Sequence, residues 1–182
     1  MRKLALALAA TAVCALSVPM APATAAVETI EAKMTAASAA AIARQDMFEA
    51  FGKDSLKAGQ YLWRDIAAKG QPRVVISLSD QLAYLYRGET LVAVASISSG
   101  KAPKVTPTGI FTVLNKKTMH HSRKYDNAPM PFAQFIDQYG VALHAGHNPG
   151  EPASRGCVRL PHKFAAKLYQ VTSVGTPVLI GA

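Results

Sequence analysis

Two cysteines are all this chain of 182 residues holds, Cys14 near its start and Cys157 near its end. A fold stapled by several disulfides is therefore excluded. No uninterrupted apolar stretch reaches the ~20 residues that a bilayer-spanning helix requires. Basic residues nowhere interleave with aromatics in a run, so a nucleic-acid surface has no sequence support. No carboxylate accompanies a histidine pair at a metalloprotease spacing, and no internal repeat is present. Acidic residues are also unevenly scarce. Residues 72–182 carry twelve Lys and Arg against five Asp and Glu, whereas residues 26–71 carry six of each. The basic excess thus belongs to the C-terminal part alone, which favours an anionic or carboxylate-bearing partner.

The first residues are informative. Met1-Arg2-Lys3 is basic, Leu4 to Val18 is almost continuously apolar, and Ala23-Thr24-Ala25 is a small-x-small cleavage pattern. Residues 1–25 read as a secretory signal peptide. Thr11-Ala12-Val13 before Cys14 fits a lipoprotein signal poorly, so Cys14 is expected to leave with the signal. The exported chain then holds one thiol, no stable membrane span and no reason to meet nucleic acid, and it is expected in the periplasm or cell envelope. An odd thiol in an oxidising compartment is a liability unless it is buried or used for chemistry.

Residues 26–71 read as a small helical leader or linker. Ile30, Met34, Ala37, Ala41 and Ile42 recur at helical spacing from Glu28 to about Phe51, and a second helical stretch is expected from Ser55 to about Ile66. Lys69-Gly70-Gln71-Pro72 punctuates the chain, and composition then turns to strand. Val74 to Leu78, Leu82 to Tyr86 and Leu91 to Ile97, separated by short turns, predict an antiparallel meander. Further strands are expected at Ile110 to Leu114, Val141 to His144, Cys157 to Leu160 and Pro177 to Ile180, with an amphipathic helix from Pro161 to Val171. Residues 115–129 read as a long polar loop. The expected class for residues 72–182 is mainly β (α+β), a sandwich or closed sheet with a late helix.

A catalytic thiol needs a base, a positive environment and donors for the oxyanion formed on attack. His144, at the end of an expected strand, is the candidate base for Cys157. The N–H groups around Gly156 and Cys157 are candidate oxyanion donors. Arg155 and Arg159 flank the thiol, where their charge favours the thiolate and either can pair with a substrate carboxylate. Spacing alone does not bring His144 to Cys157, and a lone cysteine between Gly and Val also suits a buried apolar role. Metal binding is the competing chemistry, with His120, His121, His144, His147, His162 and Cys157 as conceivable ligands. Asn148-Pro149-Gly150 follows His147 at once, however, and precludes a helix presenting His144 and His147 together.

Four motifs in order carry a resemblance: Thr106-Pro107-Thr108-Gly109-Ile110-Phe111, Met130-Pro131-Phe132, Val141-Ala142-Leu143-His144-Ala145-Gly146, and Pro152-Ala153-Ser154-Arg155-Gly156-Cys157-Val158-Arg159-Leu160-Pro161. Over roughly residues 72–181 the chain resembles the L,D-transpeptidase catalytic domain, also called the YkuD domain. The resemblance implies a β-sandwich and a cysteine nucleophile, Cys157, that attacks a tetrapeptide stem of peptidoglycan at its third residue. D-Ala leaves, and the amine of a second stem resolves the thioester into a 3–3 cross-link. It further implies His144 as the proton donor and acceptor, Ser154 and Gly156 in the loop shaping the oxyanion site, and no metal or nucleotide cofactor. Water or a protein amine as acceptor would instead give an L,D-carboxypeptidase or a wall-attachment enzyme, and a site without activity would leave a peptidoglycan-binding domain. One departure stands out. Where the family usually has Ser-His-Gly-Cys, this chain has Ser154-Arg155-Gly156-Cys157, and arginine cannot serve as a base near neutral pH.

Overall fold

Three nearly continuous apolar stretches joined by short turns produce the expected meander, and the other elements assemble around it. The computed structural model describes residues 26–182; the expected signal segment and Cys14 lie outside the described residues. In chain order the elements are β1 (Ala26–Val27), α1 (Ile30–Phe51), β2 (Tyr61–Trp63), β3 (Pro72–Ser77), β4 (Leu82–Arg87), β5 (Thr90–Ser96), β6 (Gly109–Thr112), β7 (Asn115–Ser122), β8 (Ala128–Phe135), β9 (Ala142–Ala145), β10 (Val158–Leu160), α2 (His162–Val171) and β11 (Pro177–Gly181). A seven-stranded sheet runs β1-β6-β11-β3-β4-β5-β2, and a four-stranded sheet runs β10-β9-β8-β7. Both are mixed, because β11 pairs parallel with β3 and β10 pairs parallel with β9. The fold is mainly β with a late helix, as the sequence predicts.

The seven-stranded sheet is apolar on both faces, which is why Val74-Val75-Ile76 and Leu82 to Tyr86 read as continuous hydrophobic runs. Val74, Ile76, Ala83 and Leu85 face a core shared with Leu143, Val158 and Leu160 of the smaller sheet and Phe164 and Leu168 of α2. Val75, Tyr84, Tyr86 and Val94 face α1. Residues 26–71 therefore contribute a covering helix and two strands to the same sheet.

The face of α1 that packs is not the one its larger side chains suggest. Ala32, Ala36, Ala40, Ala43 and Met47 are buried, whereas Ile30, Met34 and Ile42 are exposed along with Ala37 and Ala41. The reason is close approach. A Cβ on Gly181 would lie 2.7 Å from the Ala36 carbonyl oxygen and 2.8 Å from Ala37 Cα. Only small side chains allow the helix to lie so near β11. Thr29 caps the helix, its Oγ1 accepting from the Ala32 N–H at 3.2 Å.

Two expectations are corrected. Residues 55–66 form no helix; Tyr61, Leu62 and Trp63 pair antiparallel with β5 instead, and their aromatic rings pack at the edge of the core against Phe164. Residues 115–129 are not a loop but most of a β-hairpin, β7 and β8, whose turn places Asp126 and Asn127 at positive φ. Much of β7 is exposed, so no apolar alternation announces it. Pairing with β8 holds it in place, helped by Lys116, whose Nζ donates to the Tyr169 and Thr172 carbonyls at the C-terminal end of α2 at 2.5 and 2.6 Å.

Candidate active site around Cys157

The parallel pairing of β9 and β10 sets the site. Val158 lies beside Leu143, Arg159 beside His144 and Leu160 beside Ala145. Leu143, Ala145, Val158 and Leu160 point into the inter-sheet core. The period of two then puts His144, Arg159 and Cys157 together on the opposite face of the smaller sheet. There Cys157 packs against a small cluster of Met130, Ala133 and Ala142. It is half-buried and is the free cysteine among the described residues.

A shelf formed by the chain after β5 presents the thiol. Ser98 and Arg159 exchange backbone hydrogen bonds at 3.0 Å each, and the Ala153 and Ser154 N–H groups donate to the Ser99 carbonyl at 3.0 and 2.9 Å. Ser99 is fixed in turn by Gln81, whose Nε2 donates to Ser99 Oγ at 2.8 Å and whose Oε1 accepts from the Ser99 N–H at 3.0 Å. Thr106 Oγ1 accepts from the Gly100 N–H at 2.8 Å and donates to the Gly156 carbonyl at 2.9 Å. Ser154 Oγ donates to the Cys157 carbonyl at 2.5 Å and accepts from the Gly156 N–H at 3.2 Å. Gly156 has φ of 112°, a conformation any side chain would strain. Ser154 thus closes the turn that aims Cys157, and the Gly156 N–H expected to face an oxyanion is committed inside that turn.

The electrostatics describe a neutral pair at rest. Burial pushes His144 down to about 4, against a small upward pull from its bond to Ala145 and with further lowering by Arg159 and His120. Its Nδ1 lies 2.8 Å from the Ala145 carbonyl. A carbonyl only accepts, so Nδ1 carries the proton and Nε2 keeps a free lone pair. Burial pushes the Cys157 thiol up; the Ala142 backbone N–H and Arg159 pull it down, and the Asp137 carboxylate pushes it further up. The sequence leads one to expect arginine charge to favour the thiolate; Arg159 does lower the thiol, but desolvation outweighs it. The Arg155 guanidinium lies over the Tyr125 ring, 4.9 Å from its centroid, in a cation–π contact.

Cys157 stands where two cavities meet. One, of about 740 Å³, is lined by His144, His147, Ser154, Arg159 and His162 with the Pro129–Pro131 segment. The other, of about 710 Å³, lies against the hairpin and is lined by Lys117, His120, His121, Arg123, Lys124 and Tyr139. Cys157 and Arg155 line both. His120 and His121 thus sit on the other side of Cys157 from His147 and His162. Among the described residues, no three His, Cys, Asp or Glu side chains gather as a metal-ion site would require. Thr106, Gln81 and Ser99 are the supporting residues that the sequence reading left without a role. Thr106 belongs to one of the recognised motifs, whereas Gln81 looks like an ordinary turn residue.

Comparison with known proteins agrees with the fold. The family described as the L,D-transpeptidase catalytic domain, YkuD, matches residues 71–180. The YkuD protein of Bacillus licheniformis is 28% identical over 114 residues, covering 59% of this chain and 64% of that one. Among solved structures, an L,D-transpeptidase from Mycobacterium smegmatis superposes with a TM-score of 0.58 at 21% identity, covering 62% of this chain and 59% of its own. L,D-transpeptidase 3 from Mycobacterium tuberculosis, in complex with a faropenem-derived adduct, gives 0.54 at 22% identity over 61% of each chain. The chain spans less than two thirds of each of these relatives. With well over half its residues matched by one family, it belongs to the L,D-transpeptidase catalytic domain (YkuD) family.

Proposed function

We propose that the protein is an exported, cysteine-dependent L,D-transpeptidase that acts on peptidoglycan stem peptides and forms 3–3 cross-links from tetrapeptide donors. The observation that carries this reading is the placement of Cys157 and His144 on one sheet face and in the wall of one cavity, with the imidazole neutral and its Nε2 lone pair unprotonated. Because the resting thiol is protonated, attack and deprotonation go together. As Sγ bonds to the carbonyl carbon of the third stem residue, its proton passes to His144 Nε2. The oxyanion takes a hydrogen bond from the Cys157 backbone N–H, the Gly156 N–H being engaged elsewhere.

Collapse of the adduct breaks the amide C–N bond. The imidazolium gives its proton to the departing nitrogen, D-Ala leaves as an amine, and a thioester remains. The side-chain amine of a second stem then attacks the thioester and loses a proton to His144. The C–S bond breaks, and the sulfur recovers the proton. Two cavities meeting at one thiol suit a reaction with two peptide substrates.

The test is direct. Incubation with tetrapeptide muropeptides is expected to give cross-linked dimers lacking one D-Ala, identified by mass, and Cys157→Ala is expected to give none. Intact-mass measurement after exposure to a penem or carbapenem should show one adduct that needs Cys157. Turnover should survive chelators and be lost on thiol alkylation. Absence of both the adduct and the products would sink the enzyme reading.

A further inference from the structure

Arg155 places a cationic side chain close to the nucleophile in the sequence and in the site. It is exposed, it stands two residues before the nucleophile, and it lines both cavities. Among the described residues it has no carboxylate partner, since the ion pairs are Arg44 with Asp80 and Arg73 with Glu89. The arginine charge that lowers the thiol is that of Arg159. Yet the side chain is not adrift, because the guanidinium is held 4.9 Å from the centre of the Tyr125 ring at the tip of the β7–β8 hairpin.

That geometry has a chemical consequence. A cation–π contact holds a guanidinium in place without engaging its N–H donors on an oxygen acceptor. A planar fork of donors, held by an aromatic platform and free of internal acceptors, matches a carboxylate in bidentate fashion. The surroundings favour the same ligand. Lys117, Arg123, Lys124 and Arg155 line the hairpin-side cavity, and no aspartate or glutamate does.

We infer that Arg155, positioned by Tyr125, is the specificity residue that reads the free carboxylate of the donor's leaving amino acid. This rests on the transpeptidase reading above and sharpens it. In a tetrapeptide stem the fourth residue ends in a carboxylate only two bonds from the scissile nitrogen. A receptor for it must stand beside the nucleophile, as Arg155 does. In a stem extended by one residue, or amidated at its end, that carboxylate is gone. The donor class selected is therefore a peptide whose residue beyond the scissile bond is C-terminal and ionised. Because the fork is exposed to solvent, its discrimination is modest, about tenfold rather than the far larger ratios of a buried polar site.

The experiment compares two donors that differ in one group, a tetrapeptide muropeptide and its C-terminal carboxamide, with the purified protein. The wild type is expected to favour the free carboxylate by about tenfold in kcat/KM, mainly through KM. Arg155→Gln should remove the preference, lowering kcat/KM for the free-carboxylate donor to that for the carboxamide. Arg155→Lys should restore part of it, since the charge returns without the fork. Tyr125→Leu should fall between. Alkylation of Cys157 by iodoacetamide, a neutral reagent, reports whether each variant keeps an assembled site. A wild type that converts both donors equally, or an Arg155→Gln variant that keeps the preference, overturns the inference while leaving the transpeptidase reading intact. Failure of the wild type to convert either donor overturns both.

Discussion

At the scale of single residues, His144 and Cys157 make opposite departures for one reason. Both are buried, and burial disfavours whichever form is charged, so the imidazole moves down and the thiol moves up. For stability, the sign follows from proton counts. Between the ordinary histidine value of 6.5 and the folded value of about 4, the unfolded chain binds a proton at His144 that the folded chain does not. Stability therefore rises with pH across that window and is lost as pH falls through it, by roughly 3 kcal/mol for this group. Urea titrations between pH 4 and 6.5 should show a shallower pH dependence for His144→Gln than for wild type. For reactivity, Cys157 alkylation should climb with pH beyond the range of an ordinary cysteine. A plateau already reached at neutral pH would contradict the protonated resting state. The residue types of this pair were legible in the sequence, and so was Arg159. The protonation state was not, because it depends on desolvation and on which N–H groups are already spoken for, as the Gly156 N–H is.

Among the elements, the shelf from Ile97 to Thr106 does most to aim the nucleophile, although it has little regular secondary structure. The polar side chains it buries, Ser98, Ser99 and Thr106, are all hydrogen-bonded. Thr106 Oγ1 serves both the Gly100 N–H and the Gly156 carbonyl, and Gln81 serves Ser99 twice. Removing such a hydroxyl leaves two buried groups unpaired. Thr106→Val, close to isosteric, should cost about 2 kcal/mol in urea denaturation and lower kcat more than it raises KM. A variant as stable and active as wild type would remove this role. Hydrophobic periodicity could not reveal the shelf, since it registers which face is apolar rather than which polar atoms meet. The hairpin escaped for a related reason. Lys116, Lys117, His120, His121 and Ser122 form a strand because β8 pairs with them, and a polar strand exposed over much of its length carries no alternating signal. The meander of β3, β4 and β5 is legible for a different reason, being continuous apolar runs set off by short turns.

For the whole molecule, the family match begins at residue 71, but the sheet does not. β1 pairs with β6, β2 pairs with β5, and α1 covers the face formed by Val75, Tyr84, Tyr86, Val94 and Leu179. The leader is thus a structural layer, joined to the sheet by the Tyr86 hydroxyl donating to Asp46 Oδ2 at 2.5 Å as well as by its alanine face. A chain starting at residue 71 would keep Cys157, His144 and the shelf, yet it would uncover a contiguous apolar surface and two strand edges at once. Such surfaces drive association. The shortened protein is expected to elute as oligomers or aggregate, whereas the chain from residue 26 should remain in solution. A subtler variant isolates the packing from the edges. Ala36→Leu adds three heavy atoms where Gly181 lies close against the helix backbone, so it should cost about 1–3 kcal/mol by overpacking while leaving Cys157 alkylation unchanged in the folded protein. Full stability in Ala36→Leu, or a well-behaved monomer starting at residue 71, would show that α1 only rests on the sheet. The opposite result would make residues 26–71 part of the scaffold on which the site is built.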